Sequence, residues 1–161
     1  MTDEITFRDL APGDAGWVAQ RHGELYWIDE GYDIRFEALV LGLLATFIRD
    51  RRNGERAWIA VDGAGRRRGC VFCTLPEPGR AQLRMFLVEP EMRGTGLAQR
   101  MLDMLMDHAR GVGAQKLVLW THESHRAAGR LYTRNGFRLL NESPVEAFGQ
   151  PTREQNWEID L

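Results

Sequence analysis

LRMFLVEPEMRGTG, residues 83–96, is the stretch that decides the fold. Its first half is a compact apolar run that suits a mostly buried strand, and Pro90 ends that strand because proline cannot continue a central ladder. Apolar residues then recur at helical spacing from 97 to 105. Gly94 and Gly96 are therefore predicted at a helix N-terminus, where free backbone N–H groups and the helix dipole favour an anion by roughly 0.3–1 kcal/mol.

Spacing separates the kinds of nucleotide site that such a junction can form. A P-loop is excluded because Gly96 is followed by Leu97 and Ala98, where a P-loop has lysine and a hydroxyl residue. A dinucleotide fingerprint fits poorly, since Gln99 stands where a small residue is needed and residues 89–93 separate the strand from the glycines. The remaining pattern is an arginine, a glycine and an alanine at the start of the helix.

Composition limits the classes of protein to consider. The 161 residues predict a single domain over 1–161, and the net charge of −2 gives no global field for nucleic acid. No stretch approaches the roughly 20 apolar residues of a membrane span, and the N-terminus lacks a basic secretory segment, so we expect no membrane partner and a cytoplasmic location. Cys70 and Cys73 lie on a predicted strand, where residues three apart face opposite sides, so we expect no metal site.

Periodicity predicts the element order β-α-α-β-β-β-α-β-α-β-β. The strongest helix has an apolar stripe over 36–48, and three antiparallel strands follow it. Segment 22–33 is rich in aromatic and acidic residues but has no clear period, and we interpret it as the connection between the first two helices. Segment 141–155 is predicted as a long connection, either lining a ligand site through Phe148 or forming a variable surface loop.

Arg93-x-x-Gly96-x-Ala98, after a strand that ends in Val88-Glu89-Pro90, resembles the pyrophosphate-binding motif of the GNAT family, the GCN5-related N-acetyltransferases. The sequence AAGRLYTRNGF, residues 127–137, is similar to a second segment of that family. The resemblance implies an α/β (α+β) GNAT fold: a mixed, mostly antiparallel sheet of about seven strands with about four helices. The chain looks most like the acetyltransferase half of bacterial proteins that fuse a MarR-type winged helix to a GNAT domain, and we expect a free-standing relative of it.

The resemblance implies acetyl-CoA as co-substrate, with no metal. Tyr132 would donate a proton to the leaving CoA thiolate; the alternative is that it only packs on the sheet. The strand that ends at Val88 would separate from the strand over 116–120 and offer its backbone to pantetheine. The implied CoA-binding residues are Leu87, Val88, Arg93, Gly94, Thr95, Gly96, Leu97, Ala98, His125 and Tyr132.

The general base is less clear, because many family members carry glutamate where this chain has Gln82. An amine of pKa near 10.4 costs about 4.6 kcal/mol to neutralise at pH 7, so a base is needed. Segment 22–33 would wall the acceptor pocket, and Glu24 and Asp33 are the leading candidates for the base. The remaining candidates for contacts with the acceptor are Tyr26, Trp27, Glu30, Arg84 and Phe148.

These residues lead to a functional hypothesis. The chain is expected to transfer an acetyl group to a primary amine of a small molecule, amino acid or peptide, by direct attack in a ternary complex, as a monomer or homodimer. One alternative is another acyl-CoA or a hydroxyl acceptor on the same scaffold. Another is a CoA-sensing module without catalysis, which the glutamine at position 82 keeps open.

Overall fold

The structure is a computed structural model in which residues 4–161 are described. It contains seven strands and four helices, as the sequence predicts. A short 3-10 turn over Pro90–Met92 precedes the third helix. The elements are β1 (Thr6–Arg8), α1 (Asp14–Glu30), α2 (Ile34–Arg49), β2 (Arg56–Val61), β3 (Arg67–Glu77), β4 (Arg80–Val88), α3 (Leu97–Gly111), β5 (Lys116–His122), α4 (Arg126–Arg134), β6 (Arg138–Ala147) and β7 (Gln150–Asp160).

The strands form one sheet in the order β1-β2-β3-β4-β5-β7-β6. All neighbouring pairs are antiparallel except β4 and β5, which run parallel. The connection between those two strands is helix α3, as expected for a parallel crossover. The mixed, mostly antiparallel sheet predicted from the sequence is confirmed.

The core lies on both faces of the sheet, and strand β3 shows how the sequence divides it. Val71 and Cys73 belong to the cluster that contains residues of α3 and α4, whereas Cys70 and Phe72 belong to the cluster formed with α1 and α2. This alternation follows from the two-residue period of a strand. It also confirms that the two cysteines face opposite sides.

Strands β4 and β5 separate soon after they meet. Their pairing extends only from Arg80–Gln82 on β4 to Lys116–Val118 on β5. Beyond it, β4 has an irregular register against β3 and a positive φ of 48° at Met85. Backbone groups on the β5 side of the last half of β4 therefore lack a strand partner, which is the separation that the resemblance implies.

Segment 22–33 differs from its prediction as a connection, because residues up to Glu30 form the second half of helix α1. Its periodicity is blurred since Trp27 and Ile28 are exposed, at 63% and 71% of their surface. The helix ends at Gly31, whose φ of 72° is the left-handed conformation that closes a helix C-terminus. This turn sends the next residue, Tyr32, into the core.

Segment 141–155 is also not a long loop, so that prediction is wrong. It forms most of strands β6 and β7, which pair along their length around a turn at Phe148 and Gly149. Both turn residues have positive φ, 52° and 88°, as tight hairpins require. The pattern is hidden because β6 is an edge strand, almost wholly exposed, and contains Pro144.

Over residues 4–161, no helix combines the length and apolar character needed to span a membrane.

Candidate active site

The N-terminus of α3 carries an anion cradle. Gly94 and Gly96 have φ of 76° and 85°, a left-handed conformation that side chains with a Cβ avoid, and Gly96 is the N-cap of the helix. This backbone aims successive N–H groups outward. Within the described part of the chain, no backbone or side-chain acceptor receives a hydrogen bond from the N–H groups of Gly94, Gly96, Leu97, Ala98 or Gln99. The cradle therefore fits a pyrophosphate.

A cation stands beside this cradle. Arg93 extends from the preceding residue, is about half exposed, and pairs with Asp29 of α1 at 2.8 Å. Nearby, Arg21 of α1 binds the buried carboxylate of Glu89 through two hydrogen bonds of 2.7 Å. These two ion pairs attach α1 to the loop between β4 and α3 and fix the distance between the helix and the cradle.

A cavity of about 810 Å³ extends from the cradle into the gap between β4 and β5. It lies among the four helices and is large enough for a small-molecule ligand. Thr95 is outside it, since its side chain bonds back to the Met92 carbonyl. The other predicted CoA-binding residues all line it: Leu87, Val88, Arg93, Gly94, Gly96, Leu97, Ala98, His125 and Tyr132.

Tyr132 reaches this cavity from the buried side of α4. Its ring is 3% exposed and packs against Phe137 and Trp157, with centroids 5.4 and 6.2 Å away. Among residues 4–161, its hydroxyl has no hydrogen-bond partner, and it is not fully buried, so it is accessible from the cavity that Tyr132 lines. Burial raises the pKa of Tyr132, so the phenol stays protonated at neutral pH and is able to donate. The packing alternative thus describes its ring but leaves the hydroxyl unexplained.

The other end of the cavity holds a polar cluster, which we define as Glu30, Tyr32, His122, Ser124 and His125. The hydroxyl of Tyr32 shares a hydrogen bond of 2.6 Å with Nδ1 of His122 and lies 3.4 Å from Nε2 of His125. That same Nε2 lies 3.7 Å from Oε1 of Glu30. All members except Tyr32 line the cavity.

Burial sets the charges of this polar cluster. It lowers the pKa of His125 to about 4, and the neighbouring His122 acts in the same direction. Burial also lowers the pKa of His122, so both imidazole rings are neutral at pH 7. Burial also raises the pKa of Glu30, and the neighbouring charge of Asp29 acts in the same direction. A carboxylate whose pKa is raised toward neutrality is a stronger proton acceptor than an ordinary one.

Four predicted acceptor-site residues lie outside the cavity: Glu24, Trp27, Asp33 and Phe148. Glu24 is on the outer surface of α1, where it pairs with Arg21 at 2.8 Å. Asp33 accepts a hydrogen bond from the Arg35 backbone as the N-cap of α2. Trp27 points into solvent. On a helix, residue 24 lies on a different face from residues 26 and 30, which the prediction of a connection could not take into account.

The predicted acceptor residues at the cavity either line it or pack behind its wall. Tyr26, Glu30 and Arg84 line the cavity, as does Gln82. Phe148 does not; it packs behind the wall, with its ring 5.3 Å from those of both Tyr32 and Phe36. Its backbone carbonyl accepts a hydrogen bond from Asp33, so the hairpin turn holds the junction of α1 and α2.

Sequence reasoning missed the catalytic potential of Tyr32 and His122 and the position of His22. His22 lines the cavity and its Nδ1 lies 2.8 Å from the Val18 carbonyl, but its buried Nε2 has no partner among residues 4–161. Burial lowers the pKa of His22 to about 4, so this nitrogen is a neutral acceptor. The sequence signal for these residues was weak: His22 lies four residues before Tyr26, and His122 lies two residues after Trp120.

The sequence of the chain matches one protein family and one curated protein. A model of the acetyltransferase (GNAT) family matches residues 8–137. A curated mycothiol acetyltransferase from Segniliparus rotundus is 34% identical over 84 residues, which is 52% of this chain and 30% of that protein. The chain thus spans less than a third of the length of that curated relative.

Solved structures share the fold. The spermidine N-acetyltransferase of Vibrio cholerae, in complex with CoA and spermine, has a TM-score of 0.72 at 21% identity, covering 97% of this chain and 95% of its own. The yncA protein of Salmonella typhimurium, with its cofactor acetyl-CoA, has a TM-score of 0.77 at 18% identity, covering 98% and 94%. At these identities the likeness is one of fold. With the family model matching most of its length, the chain belongs to the GNAT acetyltransferase family, whose enzymes use acetyl-CoA.

Proposed function

We propose that this protein is an N-acetyltransferase that moves the acetyl group of acetyl-CoA directly to a primary amine in a ternary complex. The observation that carries the proposal is one continuous cavity. It joins the cradle at the start of α3 to the free hydroxyl of Tyr132 and to the raised-pKa carboxylate of Glu30.

On the cofactor side, the chain supplies charge and backbone donors. The free N–H groups at the start of α3 bind the pyrophosphate, and Arg93 exchanges its contact with Asp29 for one with a phosphate oxygen. The unpaired backbone of β4 near Val88 binds the pantetheine amides. A backbone N–H at the same place stabilises the negative charge that develops on the thioester oxygen.

On the acceptor side, Glu30 takes the role that Gln82 cannot perform. Its carboxylate attracts the ammonium form of the acceptor and then accepts a proton from it, directly or through His125. Tyr32 and His122 hold that imidazole in place by the hydrogen bonds described above. This assignment replaces Glu24 and Asp33, which lie outside the cavity.

The transfer step balances as follows. The amine nitrogen forms a bond to the thioester carbon, the carbon–sulfur bond breaks, and Tyr132 gives its proton to the departing sulfur. Two protons leave the acceptor nitrogen in all: Glu30 takes the first before attack, and the second is lost after attack. One of them reprotonates Tyr132, and the other is released to water. The products are an amide, the CoA thiol and that proton.

Neither cysteine supports a covalent route. Cys70 and Cys73 are fully buried and separate from the cavity lining. Burial raises the pKa of Cys73 to about 12 and raises that of Cys70 as well. A thiol of that kind is a poor nucleophile at neutral pH, because the thiolate is the reactive form.

The experiment is to incubate the protein with acetyl-CoA and a panel of amines, amino acids and peptides, measuring thiol release and acetylated product together. We expect one thiol per amide with at least one acceptor, and no acetylated protein when the acceptor is omitted. Tight acetyl-CoA binding without thiol release from any acceptor would instead support a CoA-sensing module. Faster release from a longer acyl-CoA would assign another acyl donor.

A further inference from the structure

Arg84 is a cation without a partner among residues 4–161. It lies on β4, is only partly exposed, and lines the cavity. In the portion of the chain that the structure describes, its guanidinium makes no hydrogen bond, ion pair or ring contact. A partly desolvated, unpaired charge costs stability, so a ligand that pairs with it is favoured. Burial lowers the pKa of Arg84.

The other arginines of the cavity are arranged differently. Arg93 pairs with Asp29 beside the phosphate cradle. Arg126, Arg130 and Arg134 extend from α4 and are exposed to solvent. Arg84 alone among the cavity arginines is both unpaired and partly buried, on the strand that also carries Gln82.

The cavity that Arg84 lines has an apolar wall. Helix α2 contributes the wall, and Met85 follows Arg84 on β4. His22 lines the same cavity, and its buried, neutral Nε2 has no hydrogen-bond partner among residues 4–161. The residues of α2 in the wall are Phe36, Leu39, Val40 and Leu43.

We propose that the acceptor is an α-amino acid with an apolar side chain, whose carboxylate pairs with Arg84, whose side chain packs on α2, and whose amine is acetylated. This inference rests on the proposed function and deepens it. A guanidinium forms two parallel hydrogen bonds to a carboxylate, which fixes both position and orientation. The same guanidinium repels a polyamine, and a protein lysine side chain has no carboxylate next to its amine.

The test compares three acceptors that differ at one group: L-leucine, leucinamide and 3-methylbutylamine. All three carry the same apolar side chain and a primary amine, but only leucine has a carboxylate. With acetyl-CoA saturating, we expect kcat/KM for leucine to exceed that for leucinamide by about tenfold or more, as one charge-assisted pair allows. L-Methionine and L-phenylalanine extend the comparison to other apolar side chains.

Variants assign the preference to Arg84. Arg84→Gln is expected to lower the leucine-to-leucinamide ratio of kcat/KM about tenfold or more. Arg84→Lys keeps the charge but cannot form two parallel hydrogen bonds to the carboxylate, so its ratio is expected to be intermediate. The matched control is Arg49→Gln, which removes a charge at the exposed end of α2 and should leave the leucine-to-leucinamide ratio of kcat/KM unchanged. A second readout is independent of catalysis: leucine, but not 3-methylbutylamine, raises the Tm of the wild-type protein saturated with CoA, and Arg84→Gln abolishes that shift.

The outcomes separate the two proposals. Equal use of leucine, leucinamide and 3-methylbutylamine, or an equal loss on all three in Arg84→Gln, overturns the carboxylate site while the acetyltransferase remains. Acetylation of spermidine with no carboxylate acceptor used does the same. No thiol release with any acceptor overturns the proposed function, and the Tm shift with leucine then decides the carboxylate site alone.

Discussion

The two ends of the cavity are built in different ways. The cofactor end comes mostly from one continuous segment, Leu87 to Ala98, in which a strand, a 3-10 turn and a helix N-terminus follow directly. The acceptor end is assembled from α1, β4 and the loop between β5 and α4, and its shortest hydrogen bond joins residues 90 positions apart. A local motif fixes local chemistry, whereas an assembled site depends on how the helices pack.

The largest expected effect is at Tyr132, where the two ends meet. Tyr132→Phe keeps the ring packing on Phe137 and Trp157 and removes only the hydroxyl. We expect kcat to fall about 10²-fold or more, as for loss of a general acid, with the Kd of CoA changed little. Tyr26→Phe, at a partly buried tyrosine that also lines the cavity, is the control and should have a small effect. An equal fall in both variants would remove the acid role.

The next effect distinguishes the base that the sequence favoured from the one that the structure favours. Glu30→Gln is expected to lower kcat/KM about 10²-fold, because the amide cannot accept the acceptor's proton. Glu24→Gln removes a carboxylate one and a half turns earlier on the same helix, at the surface, and should leave kcat/KM within about twofold. The opposite pattern in steady-state kinetics would restore Glu24.

The order of strands and helices was predictable because it depends on short-range periodicity and on turn residues. The cradle at Gly94 and Gly96 and the cysteines on opposite faces were anticipated from the residues, whereas the separation of β4 from β5 was implied only by the family resemblance. The same reasoning failed for segment 22–33, because two exposed apolar residues, Trp27 and Ile28, obscured the helical period. Without the helix, the face that carries Tyr26 and Glu30 could not be distinguished from the face that carries Glu24.

Long-range pairing was equally hard to predict for the hairpin of β6 and β7. Edge strand β6 buries almost nothing, so its sequence lacks the alternation by which a strand is recognised. The role of Phe148 as support for Tyr32 and Phe36 depends on that hairpin and was missed with it. The cluster of Tyr32 with His122 and His125 depends on packing between distant segments.

A smaller effect is expected at the cofactor end. Gly96→Ala places a Cβ on a residue with φ of 85°, a strain of about 1–2 kcal/mol in the backbone that presents the N–H groups. CoA should therefore bind about tenfold more weakly in calorimetry. Gly42→Ala, in the interior of α2 with open space around it, is the matched control: it should leave CoA affinity unchanged and stabilise the fold by about 0.5–1 kcal/mol. Equal CoA affinity in both variants would contradict the cradle.

The smallest effect concerns stability and pH at Glu30. Its folded pKa is raised above 4.5, so the folded state holds the proton more tightly than the unfolded state, and stability falls as pH rises between those two pKa values. Glu30→Gln removes this loss and should raise Tm at pH 7, on the order of 1–2 °C, while Glu24→Gln should not. A Tm for Glu30→Gln that drops at pH 7 would show that the carboxylate is structural. In wild type, kcat/KM should rise with pH through the raised pKa.

The central claim is that the cradle at the start of α3 holds the pyrophosphate, and Tyr132 the thioester sulfur, of one acetyl-CoA molecule. A crystal structure with CoA bound tests it most directly. The account predicts the pyrophosphate on the N–H groups of residues 94–99 and the CoA sulfur within hydrogen-bond reach of the Tyr132 hydroxyl. A complex with the pyrophosphate elsewhere, or with the sulfur out of reach of Tyr132, would contradict it.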